Sequence, residues 1–227
     1  DTDEVQLLVE LANDLAFGIH TVRARIEHLR AQQMVARLAY HDPLTGLANR
    51  ARLLIRVRDA LRRVTPARPL ALMAVVIERF DDILASIGVR PADQLLAQVA
   101  DRLIATLGGS GHVGRTGSKR FSVLLADTSG SAAREVAQQL HAAMRPSFLL
   151  AGIPVGVEIS IGVATAPAHA DDPETLLLRS DLAARSAAGN AEGFAVYSGS
   201  GLEDRRWLAL LGDLRVAIEE QQLRLFF

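Results

Sequence analysis

The side chains that most often carry catalysis are few in this chain, and they are scattered along it. The six histidines show no His-Glu-x-x-His spacing or other zinc-binding pattern. Cysteine is absent, which excludes disulfides and thiolate metal sites. Gly108-Gly109-Ser110-Gly111 lacks the Gly-Lys-Ser/Thr that follows in a phosphate-binding Walker loop. Charged side chains, among them Glu78, Asp93, Lys119 and Arg120, are spread over several predicted elements, and their types alone assign them no chemistry.

Hydrophobic patterning predicts the elements that position these residues. Leu70 to Ile77 is a continuous apolar run of strand length, which favours a strand buried on both faces. His112–Arg115 and Arg120–Leu125 flank a glycine-containing turn and predict a hairpin. Val155 to Thr165 alternates and is rich in β-branched residues, so it predicts another strand.

The other predicted elements complete an α/β fold with a mixed sheet. Asn49 and Asp172 are predicted helix N-caps, because their side chains can accept hydrogen bonds from the first turn. The predicted helices and the last strand are Ala51–Val64, Asp81–Ile87, Pro91–Leu107, Ala132–Met144, Glu174–Ala188 and Phe194–Tyr197.

The N-terminal region, residues 4–40, carries one long helical pattern that His41-Asp42-Pro43 ends. Apolar residues recur with heptad spacing, which favours a coiled-coil-like pairing of two such helices, and hence a homodimer. The alternative is a single amphipathic helix packed on its own domain. The predicted dimer seam includes Leu8, Leu15, Ile19, Val22, Ile26 and Leu29.

Composition bounds the function classes. The chain has 227 residues, of which 49% are hydrophobic and 22% charged, with a net charge of -1. This balance gives no basic field to gather nucleic acid, and no apolar run reaches the roughly 20 residues that span a bilayer. The first residues are acidic and do not resemble a signal peptide, so we expect a cytoplasmic protein. We also expect a piece of a longer chain, because the sequence starts without Met and stops at Leu225-Phe226-Phe227, inside an apolar run.

A specific resemblance enters at Asp42-Pro43-Leu44-Thr45-Gly46-Leu47-Ala48-Asn49-Arg50. This segment is similar to the D-x-L-T-G-L-x-N-R opening of GGDEF domains. Arg115-Thr116-Gly117-Ser118-Lys119-Arg120-Phe121 and Glu158-Ile159-Ser160-Ile161-Gly162-Val163-Ala164 follow at the family's spacing. The resemblance covers about residues 40–198 and implies the nucleotidyl-cyclase-like α/β fold, a mixed sheet flanked by helices.

Active GGDEF domains condense two GTP molecules into cyclic di-GMP, a reaction that needs Mg²⁺ held by carboxylates. The resemblance places the first metal-binding aspartate of the family at Val76, which has no ligand atom in its side chain. Glu78 keeps the second acidic position, although it also fits a solvated strand end. The lysine of the family has become Asp81, which reverses the charge.

The signature itself departs from the family. Gly117 keeps the first glycine and Ser118 replaces the second, which adds a Cβ beside the expected nucleotide. Lys119 and Arg120 occupy the two acidic positions, so Mg²⁺ would meet cations. An alternative is that these two cations neutralise phosphate directly. Phe121 keeps its apolar place and is expected in the core.

Residues that contact the base, the phosphates and the inhibitory product in the family are also replaced at several positions of this sequence. Leu84 replaces the asparagine that holds the base, while Asp93 keeps its partner position or serves only as a residue of the first helical turn. Ala187–Gly193 lacks the lysine and arginine that touch phosphates. Gly108 and Gly111 replace the Arg and Asp of the product-inhibition site.

These losses predict a catalytically inactive domain with no cofactor, in which neither Mg²⁺ nor GTP binding is expected. The rival hypotheses are a GTP-binding allosteric domain that uses Glu78, Asp93, Lys119 and Arg120, and, more remotely, an active cyclase. Arg56, Arg58, Arg62, Arg63 and Arg68 form a basic cluster that fits a solvated helix face or a dock for a neighbouring domain.

Short matches in the flanks imply a domain order. Residues 1–40 resemble the end of a GAF domain and a linker helix, residues 41–198 the degenerate GGDEF domain, and residues 199–227 a linker helix and the start of an EAL phosphodiesterase domain. The resemblance therefore implies a cyclic di-GMP signalling protein with GAF and EAL domains as intramolecular partners.

Overall fold

The computed structural model describes residues 37–199, together with Arg23 and Arg25. Residues 37–40 are helical, and this helix ends before Pro43, as predicted. Arg23 and Arg25 are also helical and exposed. All residues of the predicted dimer seam, from Leu8 to Leu29, and the predicted EAL start after residue 199 lie outside the described residues.

The described chain alternates strands and helices. The strands are β1 Ala48–Asn49, β2 Leu70–Ile77, β3 His112–Arg115, β4 Arg120–Leu125, β5 Phe148–Leu150, β6 Ile153–Val155, β7 Ile159–Ala166 and β8 Phe194–Val196. The helices are α1 Arg50–Leu61, α2 Phe80–Ile87, α3 Val89–Leu107, α4 Gly130–Met144 and α5 Pro173–Ala187.

Six strands form one mixed sheet in the order β1-β3-β4-β2-β7-β8. The central strands pair antiparallel, whereas β1 with β3 and β7 with β8 pair parallel at the two edges. Helices α3 and α4 cover one face of the sheet, and α1 and α5 cover the other. The predicted α/β fold with a mixed sheet is confirmed.

Strand β2 lies at the centre of the sheet and contributes to both cores. Met73 and Val75 face α3 and α4, while Leu70 and Leu72 face α1 and α5. Successive side chains of a strand point to opposite faces, so a continuous apolar run is what a doubly covered strand requires. The prediction of a strand buried on both faces is therefore confirmed, with the same limits.

The predicted strand Val155–Thr165 is wrong in its first half. A separate two-stranded ribbon, β5 with β6, ends at Val155, and β7 begins only at Ile159. Ala151 and Gly152 have positive φ, as a tight hairpin turn requires, and Gly156 interrupts the run before β7. Strands of three residues are too short to leave an alternating pattern.

Helix caps follow the sequence closely. The side chains of Asn49 and Asp172 accept hydrogen bonds from the first turns of α1 and α5, as predicted. Ser129 does the same for α4, a cap that the sequence analysis missed. Side-chain caps satisfy backbone donors that a helix leaves unpaired, so they fix where these helices begin.

Candidate functional site

The signature residues lie in the turn between β3 and β4, beside the carboxyl end of β2. The backbone amides of Thr116 and Gly117 donate to the carbonyl of Arg120 over 3.0 and 3.2 Å. The amide of Ile77 donates to the carbonyl of Lys119 over 3.0 Å, which ties the turn to β2. Val76 lies directly opposite Arg120 in the sheet register. The structure thus brings together the positions that the resemblance assigned to metal binding.

Lys119 forms an ion pair with the residue that replaces the family lysine. Its Nζ lies 2.8 Å from Asp81 Oδ2, at the first turn of α2. The side chain of Asp81 is 80% exposed and that of Lys119 is 36% exposed, so the pair adds little to stability. Its consequence is electrostatic: the ammonium group already has an anionic partner within the domain.

Arg120 is paired as well, with a residue of α5. Its Nη1 donates to Asp181 Oδ2 over 2.8 Å. The Asp181 side chain is only 12% exposed. Among the described residues, Arg120 Nε and Asp181 Oδ1 are buried without a hydrogen-bond partner. An arginine therefore holds the hairpin to α5 at the position that the resemblance assigns to the family's glutamate.

Burial controls the protonation of this ion pair. Burial raises the pKa of Asp181 above its ordinary value, and the cations of Arg120, Arg50 and Arg185 act against that rise without overcoming it. The unpartnered Oδ1 agrees with this direction, because a desolvated oxygen without a donor favours the protonated acid.

Gly162 allows α5 to approach closely enough for this contact. A Cβ at Gly162 would collide with the α5 backbone at Ser180 and Ala184, and would lie 2.7 Å from the carbonyl carbon of Ala183. Asp181 stands on the same turn of the helix. A glycine in a strand interior often marks such a close approach of backbones, so Gly162 of β7 sets the distance from Asp181 to the sheet.

A third ion pair joins the nonapeptide Asp42–Arg50 to the signature hairpin. Arg115 Nη1 donates to both oxygens of Asp42 over 3.1 Å, and Arg115 Nη2 donates to the carbonyl of Ser118 over 2.8 Å. Asp42 also accepts from the amide and the hydroxyl of Thr45 over 2.9 and 2.8 Å. Burial acts to raise the pKa of Asp42, but these donors outweigh it and the pKa lies below the ordinary value.

Asn49 connects two helix ends through one amide group. Its Oδ1 accepts from the amide of Arg52 at the start of α1 over 3.1 Å. Its Nδ2 donates to the carbonyl of Ala39 over 2.9 Å and to that of Leu38 over 3.4 Å. These carbonyls belong to the last turn of the helix that enters the domain. The entering helix is thus attached both to α1 and, through Asp42, to the signature hairpin.

Glu78, a predicted nucleotide-binding residue, lies at the rim of a cleft of about 390 Å³. It is half-buried, and its backbone amide donates to the carbonyl of Glu158 over 2.9 Å. Arg79, the next residue, adopts a left-handed conformation with φ 47°. His141, Arg145, Glu158 and Asn190 line the cleft too, so its walls carry two carboxylates and one guanidinium group.

The other predicted contacts are spread over three elements. Asp93 is half-buried in the second turn of α3, and Leu84 of α2 packs against the core formed with α3 and α4. Ala187 ends α5, and Asn190 binds back to the carbonyl of Ser186 over 2.8 Å. The end of α5 therefore satisfies its own polar groups and presents alanine and glycine where the family carries cations.

The positions of the product-inhibition site follow α3. Gly108 is the C-cap of α3 and adopts a left-handed conformation. A Cβ at Gly111 would lie 2.6 Å from Leu125 Cδ2 and 3.0 Å from the carbonyl oxygen of Leu124. The space for an aspartate side chain at this position is thus taken by a leucine, a departure that a comparison of single positions does not reveal.

Two features of the described part of the chain bear on other functions. Within residues 37–199, no cluster of three or more histidine, aspartate or glutamate side chains has the arrangement of a metal site. In the same range, none of the helices combines the length and apolarity that crossing a bilayer requires.

Comparison with known proteins identifies the fold. A family model described as "Diguanylate cyclase, GGDEF domain" matches residues 39–192. The chain belongs to the GGDEF family. The crystal structure of the GGDEF domain of TpbB (YfiN) from Pseudomonas aeruginosa superposes with a TM-score of 0.65 at 34% identity, covering 68% of this chain and 98% of that one.

Curated relatives place this GGDEF domain among proteins of cyclic di-GMP signalling. Diguanylate cyclase TpbB of Pseudomonas aeruginosa strain UCBPP-PA14 is 34% identical over 97% of this chain and 48% of its own length. The bifunctional diguanylate cyclase/cyclic di-GMP phosphodiesterase MucR of the same species is 27% identical over 87% of this chain and 29% of its own length. The chain thus spans about half of TpbB and less of MucR.

Sequence reasoning missed one residue of this GGDEF site, Asp181. Its position on α5 could have indicated it. Asp181 follows the buried Leu177 by four residues and the buried Ser180 by one, so it is a charged residue on the buried face of the helix. A charged residue on such a face needs a partner, and Arg120 is the partner that the fold supplies.

Proposed function

We propose that this GGDEF domain does not synthesise cyclic di-GMP and acts instead as a regulatory, dimerising transmitter. It would couple an upstream sensor domain to a downstream EAL phosphodiesterase domain. The observation that carries the proposal is the engagement of both signature cations: Lys119 is paired with Asp81 and Arg120 with Asp181. Of the positions that the resemblance assigns to metal binding, only Glu78 keeps a carboxylate, and Mg²⁺ would meet it beside two cations.

The donor set does not fit Mg²⁺. Hard divalent cations take oxygen ligands, chiefly carboxylates, whereas Val76, Lys119 and Arg120 offer one apolar and two cationic side chains, and Glu78 adds a single carboxylate. Asp181 Oδ1 is buried, and its carboxylate already has Arg120 as a counter-ion. Catalysis through a metal-activated 3′-hydroxyl therefore has no support among these side chains.

The contacts of the entering helix support a role in transmission. Asn49 binds the last carbonyls of that helix, and Asp42 binds Arg115, which in turn binds Ser118 in the signature turn. A rotation or shift of the entering helix would thus act on α1 and on the hairpin through hydrogen bonds rather than through solvent. MucR, which combines cyclase and phosphodiesterase in its name, supports the expectation of a phosphodiesterase partner.

The first test is an activity and binding comparison with the TpbB GGDEF domain as a positive control. Both proteins would be incubated with GTP and Mg²⁺, and product would be followed by chromatography. Calorimetric titrations with GTP and Mg²⁺, and with cyclic di-GMP, would follow. We expect product from TpbB and none from this chain, and no heat with GTP. Synthesis of cyclic di-GMP by this chain would overturn the proposal.

The proposed dimer has its own test. Leu15→Asp combined with Val22→Asp would place carboxylates in the predicted seam, and light scattering would measure the mass in solution. We expect a dimer that becomes a monomer, since a charge buried at a heptad seam is costly. An unchanged mass would contradict pairing through this helix.

A GTP-binding allosteric domain is the second candidate. The left-handed Arg79 favours it, because strained backbone clusters at ligand sites, and Glu78 beside it lines a cleft large enough for part of a nucleotide. This candidate predicts heat on GTP titration without product. The heat should fall in Lys119→Ala or Arg120→Ala if those cations contact phosphate, and stay unchanged in Arg58→Ala, which removes an exposed arginine of α1 outside this cleft.

A further inference from the structure

Helix α1 and the residue pair after it carry an unusual concentration of positive charge. Residues 50–63 contain six arginines and one aspartate, whereas the whole chain has a net charge of -1. Arg58 pairs with Glu174 across 3.4 Å, and the guanidinium of Arg52 lies 6.0 Å from the ring centroid of Tyr40. No carboxylate of the described residues forms an ion pair with Arg56 or Arg63. Arg56 and Arg63 are therefore not held in ion pairs within the described part of the chain.

These two arginines line the same cleft, which has a volume of about 380 Å³. It lies between α1, the loop that follows α3 and the end of β4. Arg68 lines it too, and binds Asp127 through two parallel hydrogen bonds of 2.9 and 2.7 Å. The cleft thus already holds one carboxylate in the bidentate geometry that arginine favours.

An apolar cleft of about 210 Å³ adjoins the basic one, and Arg56 and His112 line both. Its other walls come from Leu47, Leu107 and Ile104, and Ile104 is 46% exposed. Burial and the nearby Arg56 lower the pKa of His112, so its imidazole adds no cation at neutral pH. Cationic and aliphatic groups therefore alternate along one continuous surface.

We propose that this double cleft docks an extended segment of a partner protein that carries two carboxylates beside one aliphatic side chain. The carboxylates would pair with Arg56 and Arg63, and the aliphatic group would enter the cleft beside Ile104. Arginine combined with aliphatic surface is typical of protein interfaces.

The lining argues for such a segment over a polyphosphate. Asp59 and Asp127 stand among the arginines, so the cleft offers separate cationic positions rather than a uniform positive field. Discrete carboxylates can match those positions, while closely spaced phosphates would meet the two aspartates. The inference is independent of the proposed loss of cyclase activity, since the lining of both clefts includes none of the signature residues 117–121.

The test is selection of a random peptide library on the whole chain, followed by fluorescence anisotropy with the most enriched peptide. Arg56→Ala with Arg63→Ala removes the two free cations of the cleft. Arg58→Ala with Arg62→Ala is the matched control, because it removes equal charge from the same helix outside the cleft lining. Unchanged melting temperatures would show that both double variants fold.

We expect enriched peptides with paired acidic residues beside an aliphatic one. The first variant should bind them about a hundredfold more weakly, about tenfold for each ion pair lost, and the control within about twofold. Enrichment without acidic residues, no enrichment, or equal weakening by both variants would overturn the proposal. Pyrophosphate or cyclic di-GMP binding with the same arginine dependence, in place of acidic peptides, would assign the cleft to phosphate and also overturn it.

Discussion

The ion pair between Asp42 and Arg115 offers the sharpest quantitative prediction. It joins the segment that receives the entering helix to the signature hairpin, and both of its side chains are largely buried, 17% and 14% exposed. We consider Asp42→Ala, Arg115→Met and the double variant. Each single change leaves one charged group in a poorly solvated place, whereas the double change removes both.

The expected magnitude follows from the burial. Removing one partner of a fully buried pair costs about 3–5 kcal/mol, while an exposed pair contributes about 0–1 kcal/mol. With both side chains mostly covered, we expect about 2–3 kcal/mol for each single variant, and a coupling of about 1–2 kcal/mol in the double-mutant cycle. Each kcal/mol corresponds to about 2–4 °C in a chain of this size, so the single variants should melt about 4–12 °C lower.

The pH dependence carries a definite sign. Because the folded-state pKa of Asp42 is lowered, its contribution is fully present above the ordinary value of 3.8 and is lost as pH falls through the folded-state pKa. The stability difference between wild type and Asp42→Ala should therefore narrow below about pH 3.8. Urea unfolding followed by circular dichroism, repeated from pH 7 to pH 3, measures both quantities.

Two results would refute this reasoning. If each single variant lowers the free energy of unfolding by less than about 0.5 kcal/mol, the pair contributes no more than a solvent-exposed ion pair does. Additive single effects in the double variant would show that Asp42 and Arg115 do not interact energetically, whatever their distance. In either case the hairpin would not be linked to the entering helix through this contact.

Three further predictions rest on neighbouring contacts. Gly162→Ala should cost at least about 1–3 kcal/mol in urea unfolding, because the added methyl displaces α5 from β7; an unchanged midpoint would contradict the close approach. At pH 7, Arg120→Met should be less stable than the double variant Arg120→Met with Asp181→Asn. Burial raises the pKa of Asp181, so its contribution to stability is lost as pH rises through the folded-state pKa. The difference in unfolding free energy between the two variants should close below pH 3.8, and a difference independent of pH would exclude the ionisation of Asp181 as its cause. Asn49→Ala should cost about 1 kcal/mol or more through the lost cap, while Asn49→Asp keeps the cap and loses only the donors to Leu38 and Ala39; equal thermal melts for the two variants would show that the cap is unimportant, and an Asn49→Asp melt equal to that of the wild type would show the same of the amide donors.

The sequence predicts the central elements of the fold because burial leaves a local pattern there. The eight apolar residues of β2 and the caps Asn49 and Asp172 are determined by their own neighbours in the chain. Strands β1, β5 and β6 are only two or three residues long, so no hydrophobic periodicity marks them in the sequence. In addition, β1 depends on a partner, β3, that is distant in the chain.

The candidate site, like the fold, could be predicted from the sequence only in part. The loss of acidic residues at Val76, Lys119 and Arg120 is visible in the sequence, once the resemblance gives those positions a meaning. The partners of the new cations are not visible, because Asp181 lies 61 residues from Arg120 and reaches it only through the approach of α5 at Gly162. Likewise, the leucine that fills the space beside Gly111 comes from the next strand of the sheet.

The pairing of Lys119 with Asp81 also constrains the evolutionary future of the domain. Placing a glutamate at position 119 alone would set two carboxylates against each other where an ion pair now stands. Placing a lysine at position 81 alone would do the same with two ammonium groups. Either substitution alone would thus replace an attraction by a repulsion, and only the two together restore an ion pair. Because the pair is largely exposed, each single substitution would cost little stability and would chiefly change the local charge beside the signature turn.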